Sequence, residues 1–194
     1  MDLNGYDIIL ASKSPRRREL LAGITTEFRV LVREVDESLP SDIHPREGVE
    51  LLAVKKGSAV ADDAPLAVVV SSDTLVELDG VALGKPESEE DAARMLRMLS
   101  GKVHNVHTGV AVHYRGRVYS GVASTAVEFK ELTDEEIAWY IGTGEPMDKA
   151  GSYGIQGEGG RFVARYDGDF DTVMGLSVSL TEKLIACAIG DGND

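Results

Sequence analysis

A short apolar run near the N-terminus, Asp7 to Ala11, gives way to small polar residues and then to a cluster of cations. The run predicts a buried strand. Ser14 is a good N-cap and Pro15 suits the first helical position, so we expect a helix that starts there and ends at Gly23. A strand that turns directly into a helix N-terminus predicts an anion site, because the first backbone N–H groups lack partners and the helix dipole adds positive charge.

The cations at this turn stand out because the chain as a whole is acidic. Lys13, Arg16, Arg17 and Arg18 lie within six residues, whereas the full sequence has 33 acidic and 20 basic residues and a formal net charge of -13. Proteins that bind nucleic acids without strong sequence preference present a net basic face, so no nucleic-acid partner is expected for this acidic chain. A solvated basic helix start is the alternative interpretation. The cluster favours a site for a small phosphate compound, since arginine forks match phosphate geometry.

The remaining patterns alternate between strands and helices. Strands are predicted at 28–32, 66–70 (continued at 75–76), 76–78, 81–83, 103–114, 117–129 and 161–166, and helices at 46–61, 88–99, 133–140 and 178–188. Asp79-Gly80 and Arg115-Gly116 predict tight turns between antiparallel strands. This alternation predicts an α/β fold with a parallel or mixed sheet, and nothing in residues 1–194 marks a boundary at which to divide it.

The single cysteine and the hydropathy of the sequence indicate the cellular compartment in which the protein is expected. Cys187 is the only cysteine and lies in an apolar run, so we expect a buried small hydrophobe rather than a nucleophile. The absence of an intrachain disulfide suits a reducing compartment. No apolar run reaches the roughly 20 residues of a membrane span, and the N-terminus lacks the pattern of a signal peptide. A cytoplasmic protein without a membrane partner is expected.

Chemistry-bearing residues follow several predicted strands, where α/β proteins place ligands. Four segments carry them: Ser12–Arg18, Ser72–Thr74, Gly84–Pro86 and Asp148–Gly157. With nearby residues they supply cations (Arg16, Lys56, Lys85, Lys149), acids (Glu37, Asp73) and the amide of Gln156. A capping or turn role is the alternative for Asp73. The set fits a triphosphate with a divalent ion, because Mg²⁺ binds through one or two carboxylates plus substrate phosphates.

The sequence lacks the motifs of other common nucleotide-binding and hydrolase sites. The sequence has no GxxxxGKS/T loop, no GxGxxG after a strand and no GxSxG elbow. Its histidines lack HExxH spacing. His104 and His107 are three apart on a predicted strand and would face opposite sides, which disfavours a metal pair.

Four blocks of the sequence resemble the signature of the Maf family of nucleoside triphosphate pyrophosphatases. They are Leu10-Ala11-Ser12-x-Ser14-Pro15-Arg16-Arg17-x-Glu19-Leu20-Leu21, Ser72-Asp73-Thr74-Leu75-Val76, Leu83-Gly84-Lys85-Pro86 and Asp148-Lys149-Ala150-Gly151-x-Tyr153-Gly154-Ile155-Gln156-Gly157. They stand in the family's order, and the similarity runs from about residue 7 to residue 186. The resemblance implies a Maf/inosine-triphosphatase-like α/β fold: one domain over residues 1–194, an elongated mixed β-sheet flanked by helices, and a cleft between two lobes. It also implies a homodimer.

The resemblance also implies a reaction, namely hydrolysis of a nucleoside triphosphate to the monophosphate and pyrophosphate with a divalent metal, Mg or Mn. Asp73 matches the family's general base, and Glu37 and Asp73 would hold the metal. Arg16, Thr74 and Gln156 fall on the positions tied to base choice and resemble the dTTP/UTP branch. The other expected substrate-binding residues are Ser12, Arg17, Lys56, Lys85 and Lys149.

Several alternatives stay open at this point. Cations around a carboxylate weaken it as a base, so Asp73 acts either as the base or as a metal ligand. The same chemistry on 7-methyl-GTP or other modified nucleotides is one alternative function, and a non-catalytic nucleotide-binding regulator linked to cell division is another. Two segments depart from the family pattern: Val54-Lys55-Lys56-Gly57 replaces Arg-Glu-Lys-Ala, and Gly175-Leu176-Ser177 replaces Gly-Leu-Pro, which predicts a weaker start for the last helix.

Overall fold

The computed structural model describes residues 3–40 and 42–191. Within these ranges the strands are β1 (Ile8–Leu10), β2 (Arg29–Val30), β3 (Val68–Leu78), β4 (Val81–Leu83), β5 (Val103–Tyr114), β6 (Arg117–Phe129) and β7 (Val163–Asp167). The α-helices are α1 (Pro15–Ala22), α2 (Pro45–Ala61), α3 (Glu89–Leu99), α4 (Asp134–Ile141), α5 (Phe170–Met174) and α6 (Val178–Asp191). Single 3₁₀ turns lie at Glu145–Asp148, Ala150–Ser152 and Glu158–Phe162.

The strands form one mixed sheet in the order β2-β1-β3-β5-β6-β7, and β4 pairs with β3. β1 is parallel to both β2 and β3, which requires crossover connections. The chain makes them through α1 and α2. β3 and β4 pair antiparallel across Asp79 and Gly80, whose φ angles of 52° and 82° are those of the predicted tight turn. The predicted mixed α/β fold is confirmed.

The chain divides into two compact units. Unit 1 comprises Met1–Asp73, Thr108–Ala123 and Gly175–Asp194, and unit 2 comprises Thr74–His107 and Ser124–Met174. Each has its own hydrophobic core. In unit 1, side chains alternate along β1: Ile8 and Leu10 join one buried cluster, whereas Ile9 joins another. β1 is therefore covered on both faces, as its uninterrupted apolar sequence predicts.

The core of unit 2 is built on α3 and a group of aromatic rings. Ser88 caps α3 by accepting a hydrogen bond from Asp91 N at 3.2 Å, which confirms the predicted cap. Its buried residues Ala92, Met95, Leu96 and Leu99 share one helical face. The rings of Phe129, Tyr140, Tyr153 and Phe162 belong to the same cluster. The Thr133 capping box that opens α4 is also present.

β3 differs from its prediction because its polar residues do not interrupt it. The sequence predicted a strand over Leu66–Val70 that ends in Ser71-Ser72-Asp73-Thr74 and is continued by Leu75-Val76, whereas β3 starts at Val68 and runs unbroken to Leu78. Buried hydroxyls permit this: Ser71 Oγ donates to Ala53 O at 2.7 Å. With its polar groups hydrogen-bonded, the segment needs no exposure to solvent. Asp73 therefore lies inside a long strand rather than at its tip.

Two expectations about α6 are wrong. Cys187 is exposed, because the buried stripe of this helix runs through Leu184, Ile185 and Ala188. Nor does Ser177 leave the helix start weak. Its Oγ accepts a hydrogen bond from Leu180 N at 3.4 Å, and its carbonyl accepts one from Thr181 Oγ1 at 2.6 Å. Over the described residues, none of the helices combines the length and the apolar character that crossing a membrane requires.

Candidate active site

The first part of the candidate site is the N-terminus of α1 in unit 1. Ser14 Oγ accepts a hydrogen bond from Arg17 N at 3.4 Å, and Ser12 Oγ accepts one from Ser14 N at 3.2 Å. Pro15 stands at the first helical position, as predicted. The two serines thus fix the turn between β1 and α1. Arg16 lies partly exposed on the first turn of this helix, where a bound anion would also meet the helix dipole.

Arg17 plays a different part from its neighbours because its guanidinium binds protein carbonyls. Nε donates to Gly175 O at 2.9 Å and Nη1 donates to Ser72 O at 2.7 Å. Desolvation lowers the pKa of Arg17, and the nearby carboxylate of Asp73 opposes that effect. Arg17 therefore ties α1 to β3 and to the residues that precede α6. Its charge lies near Asp73, while at least two of its donors serve the fold.

Lys56 on α2 links the two predicted metal-binding carboxylates. Its Nζ lies 2.6 Å from Asp73 Oδ1 and 3.0 Å from Glu37 Oε2. The side chain of Lys56 is 18% exposed and that of Asp73 is 11% exposed, whereas that of Glu37 is 60% exposed. The Lys56–Asp73 pair is thus shielded from water, which strengthens it relative to a surface pair. The structure brings these three predicted site residues together.

The carboxylates of Glu37 and Asp73 suit a divalent cation that also binds substrate. Both reach the same ammonium group, so a cation already lies between them. In the part of the chain that the structure describes, no cluster of three or more His, Cys, Asp or Glu side chains could hold a metal ion. A pair of carboxylates completed by phosphate oxygens is the usual arrangement for Mg²⁺. The residues present therefore fit such an ion.

Thr74, Lys85, Lys149 and Gln156, the other predicted site residues, belong to unit 2. Thr74 follows Asp73 in β3, and Lys85 is exposed on the turn Gly84–Pro86. Gly84 O accepts a hydrogen bond from Gly151 N at 3.0 Å. This bond joins the turn that carries Lys85 to the loop that carries Lys149 and Gln156.

Lys149 is held within its own loop. Its Nζ donates to Glu145 O at 2.9 Å and to Asp148 Oδ1 at 2.7 Å, and its side chain is only 15% exposed. Gln156, in contrast, is exposed. The loop thus presents an amide to solvent while it keeps its lysine folded against the backbone.

A family model described as "Maf-like protein" matches residues 7–188. The chain belongs to the Maf family. It is 49% identical over 176 residues to a dTTP/UTP pyrophosphatase of Geobacillus sp. (strain WCH70), covering 91% of this chain and 95% of that protein. It is also 49% identical over 181 residues to a dTTP/UTP pyrophosphatase of Moorella thermoacetica, covering 92% and 93%.

Among solved structures, the Ham1 protein of Staphylococcus aureus aligns with a TM-score of 0.48 and 16% identity, covering 63% of this chain and 71% of that one. At that TM-score the alignment says nothing about function. The resemblance to the Maf family that the four sequence blocks indicated is confirmed.

Sequence reasoning missed a hydrogen-bonded relay in unit 2 of this Maf-family chain, in which Glu77 and His107 are buried and Ser124 is exposed. Glu77 Oε2 lies 2.7 Å from His107 Nε2, and His107 Nδ1 lies 2.7 Å from Ser124 Oγ. Glu77 Oε1 also accepts a hydrogen bond from Gly80 N at 3.2 Å. The relay links β3, β5 and β6 to the turn after β3. Alternation along each strand gives the face of each residue, but only the pairing of the strands shows that they meet.

Proposed function

We propose that this Maf-family chain hydrolyses dTTP and UTP to the monophosphate and pyrophosphate in a reaction that depends on a divalent metal. The observation that carries the proposal is the Lys56 ammonium between the carboxylates of Asp73 and Glu37, in the unit that also contains the N-terminus of α1. Cations next to carboxylates suit a substrate that brings both phosphate and metal. The names of the relatives from Geobacillus and Moorella support this pair of substrates.

The cations of the proposed site neutralise the triphosphate. They are Arg16, Lys56, Lys85 and Lys149. Ser12 and Arg17 shape the turn that receives the phosphates, through the contacts from Ser12 Oγ to Ser14 N and from Arg17 to the carbonyls of Ser72 and Gly175. Mg²⁺ or Mn²⁺, held by Glu37 and Asp73, would neutralise charge on the phosphate oxygens.

Asp73 accepts a proton from the water that attacks the α-phosphorus, and pyrophosphate leaves with the electrons of the broken P–O bond. The Lys56 ammonium lies 2.6 Å from Asp73 Oδ1. Phosphate draws Lys56 away from Asp73, which frees Oδ1 to accept this proton or to bind the metal. Positioning and charge neutralisation supply most of the rate, as in phosphoryl transfer generally.

Arg16, Thr74 and Gln156 are proposed to select the base. A single Maf-like domain and a homodimer also stay proposals, and light scattering coupled to size-exclusion chromatography measures the dimer directly.

A nucleotide panel tests the proposed function. The full chain is incubated with Mg²⁺ or Mn²⁺ and with UTP, dTTP, CTP, GTP, ATP or 7-methyl-GTP, and released pyrophosphate is measured. We expect release from UTP and dTTP first, with the monophosphate as the other product. Preference for 7-methyl-GTP would replace the proposed substrate, and binding without release from any nucleotide would show a regulator instead.

A further inference from the structure

Glu145, in the glycine-rich segment 142–160 of unit 2, holds three hydrogen-bond donors with its carboxylate. Oε1 accepts from Tyr140 Oη at 2.8 Å and from Gly159 N at 3.3 Å, and Oε2 accepts from Glu158 N at 2.9 Å. Burial raises the pKa of Glu145, but these bonds and the charge of Lys149 outweigh it, so the pKa lies below its usual value. The carboxylate is therefore ionised, and its charge is directed at the backbone.

Tyr140 links the Glu145 carboxylate to a third backbone position of the segment, Gly154. Its side chain is fully buried, and its ring packs edge-on against Phe162 with centroids 5.0 Å apart. Its Oη accepts a hydrogen bond from Gly154 N at 3.1 Å while it donates to Glu145. Desolvation raises the pKa of Tyr140, so the hydroxyl keeps the proton that it donates. The pair therefore fixes the backbone at residues 154, 158 and 159.

Glycines allow the chain to close around this pair. A Cβ at Gly157 would collide with the Glu145 carboxylate, and a Cβ at Gly159 would lie 2.5 Å from Tyr140 Oη. A Cβ at Gly154 would lie 2.7 Å from Lys149 Cε. Side chains at these positions would push the loop off its acceptors, so the glycine content of the segment serves this packing.

Both proposed substrate groups of the loop depend on this one residue. Gln156 lies between the backbone positions that the Glu145–Tyr140 pair fixes, and it is exposed. Lys149 Nζ donates to the main-chain oxygen of Glu145 itself. A loop tied down at both ends presents its amide in one place, which reduces the ordering cost on binding.

We propose that Glu145 is a positioning residue for nucleotide recognition, which fixes Gln156 through its carboxylate and Lys149 through its main-chain oxygen. This inference rests on the proposed function. A purely structural role would lower stability and leave nucleotide affinity and base preference unchanged. A positioning role changes KM and base preference more than kcat, because the reacting groups Asp73, Glu37 and Lys56 lie in unit 1.

Two variants and a matched control test the inference on the full chain with Mg²⁺. Glu145→Gln keeps size but turns an N–H of its amide towards a backbone N–H, whichever way it is oriented. Tyr140→Phe keeps the carboxylate and removes the hydroxyl that binds Gly154 N. Glu135→Gln is the control: it makes the same substitution as Glu145→Gln, but at an exposed position of α4.

For Glu145→Gln we expect the KM for UTP to rise about tenfold, which corresponds to 1.4 kcal/mol. The preference for UTP over GTP, measured as the ratio of kcat/KM, should fall by a similar factor, with kcat changed by less than about threefold. Tyr140→Phe should shift KM in the same direction by less, and Glu135→Gln should match the wild type. Hydrogen exchange should accelerate in peptides that cover residues 154–159.

Unchanged KM and unchanged base preference in Glu145→Gln, alongside faster exchange at residues 154–159, would overturn the inference. A fall in kcat at constant KM would overturn it as well. If Glu145→Gln does not fold, Tyr140→Phe decides by the same criteria. If the wild type releases pyrophosphate from no nucleotide, the proposed function fails. Calorimetric affinity for UTP in wild type and variant then decides the positioning role by itself, with weaker binding expected in the variant.

Discussion

Units 1 and 2 hold their proposed site residues in contrasting ways. In unit 1, charged side chains hold one another, since Lys56 Nζ lies within 3.0 Å of both Asp73 and Glu37. In unit 2, the Glu145 carboxylate holds backbone N–H groups and a tyrosine hydroxyl. A network of side-chain charges can exchange partners when phosphate and metal arrive, whereas a loop fixed through its main chain keeps its form. In the proposed function, Asp73 and Glu37 of unit 1 carry the reaction chemistry, and Gln156 of unit 2 contributes to recognition.

The most severe test of this assignment is Asp73→Asn. It removes the negative charge beside Lys56 and the proposed proton acceptor, so we expect turnover of UTP to fall about a thousandfold or more while the fold persists. Pyrophosphate release and circular dichroism measure the two quantities. Asp62→Asn, at an exposed position of the same unit, should keep wild-type turnover. Near-normal turnover in folded Asp73→Asn protein would remove the chemistry from unit 1.

A pH test examines the rigidity of unit 2. His104 is 1% exposed, its Nε2 lies 2.9 Å from Tyr153 Oη, and burial lowers its pKa to about 4. Between pH 6.5 and 4 the unfolded chain binds a proton that the folded chain excludes, so the free energy of unfolding falls as pH falls. The loss from this group should total about 3 kcal/mol.

Urea unfolding at pH 7, 5.5 and 4.5 measures this loss. His104→Gln should flatten the dependence on pH. His44→Asn, which removes an exposed imidazole and keeps a helix-capping side chain, should leave it as in the wild type. An unchanged slope in His104→Gln would mean that unit 2 admits water around this ring.

Lys56→Met sharpens the idea that the network of unit 1 exchanges partners. Without the ammonium, Asp73 and Glu37 lose the cation that lies between them, so Mn²⁺ should bind more tightly in the absence of nucleotide. Turnover should fall about a hundredfold, because a phosphate-binding cation is lost. Free Mn²⁺ measured by electron paramagnetic resonance reports the first effect. Lys183→Met is the matched control, because Lys183 is exposed on α6 in the same unit. Equal Mn²⁺ affinity in the two variants would contradict the exchange.

Arg17→Lys should have the smallest effect. It tests whether the charged Arg17 side chain of unit 1 stabilises the fold. Lysine cannot reproduce the geometry of the two bonds to Gly175 O and Ser72 O, so unfolding should become easier by about 1 to 2 kcal/mol. Arg18→Lys, on the exposed side of the same helix, should change stability by no more than about 0.5 kcal/mol. Thermal denaturation compares the two. Equal stability would mean that Arg17 is available to substrate after all.

Local signals predicted much of the fold. The caps Ser14, Ser88 and Thr133 and the turn at Asp79-Gly80 depend on neighbours in sequence, and each is present. β3 was predicted to be interrupted at Ser71–Thr74, because a run of four polar residues indicates a break when their buried partners are unknown.

The charged side chains of the candidate site were also predictable from the sequence, and Lys56, Asp73 and Glu37 were all predicted as site residues. The importance of Glu145 was not predicted, because two of its three partners are backbone N–H groups, which are the same whatever the residue. The relay through His107 depends on strand pairing that the sequence does not show.

The exposure of Cys187 affects how this protein is handled. The chain has one thiol, and it faces solvent on α6. In air, two chains can therefore form an intermolecular disulfide at this point, and a covalent dimer would be mistaken for the proposed homodimer. Light scattering should thus be done under reductant or on Cys187→Ser protein. The same thiol offers one defined position for a spin label or fluorophore in unit 1.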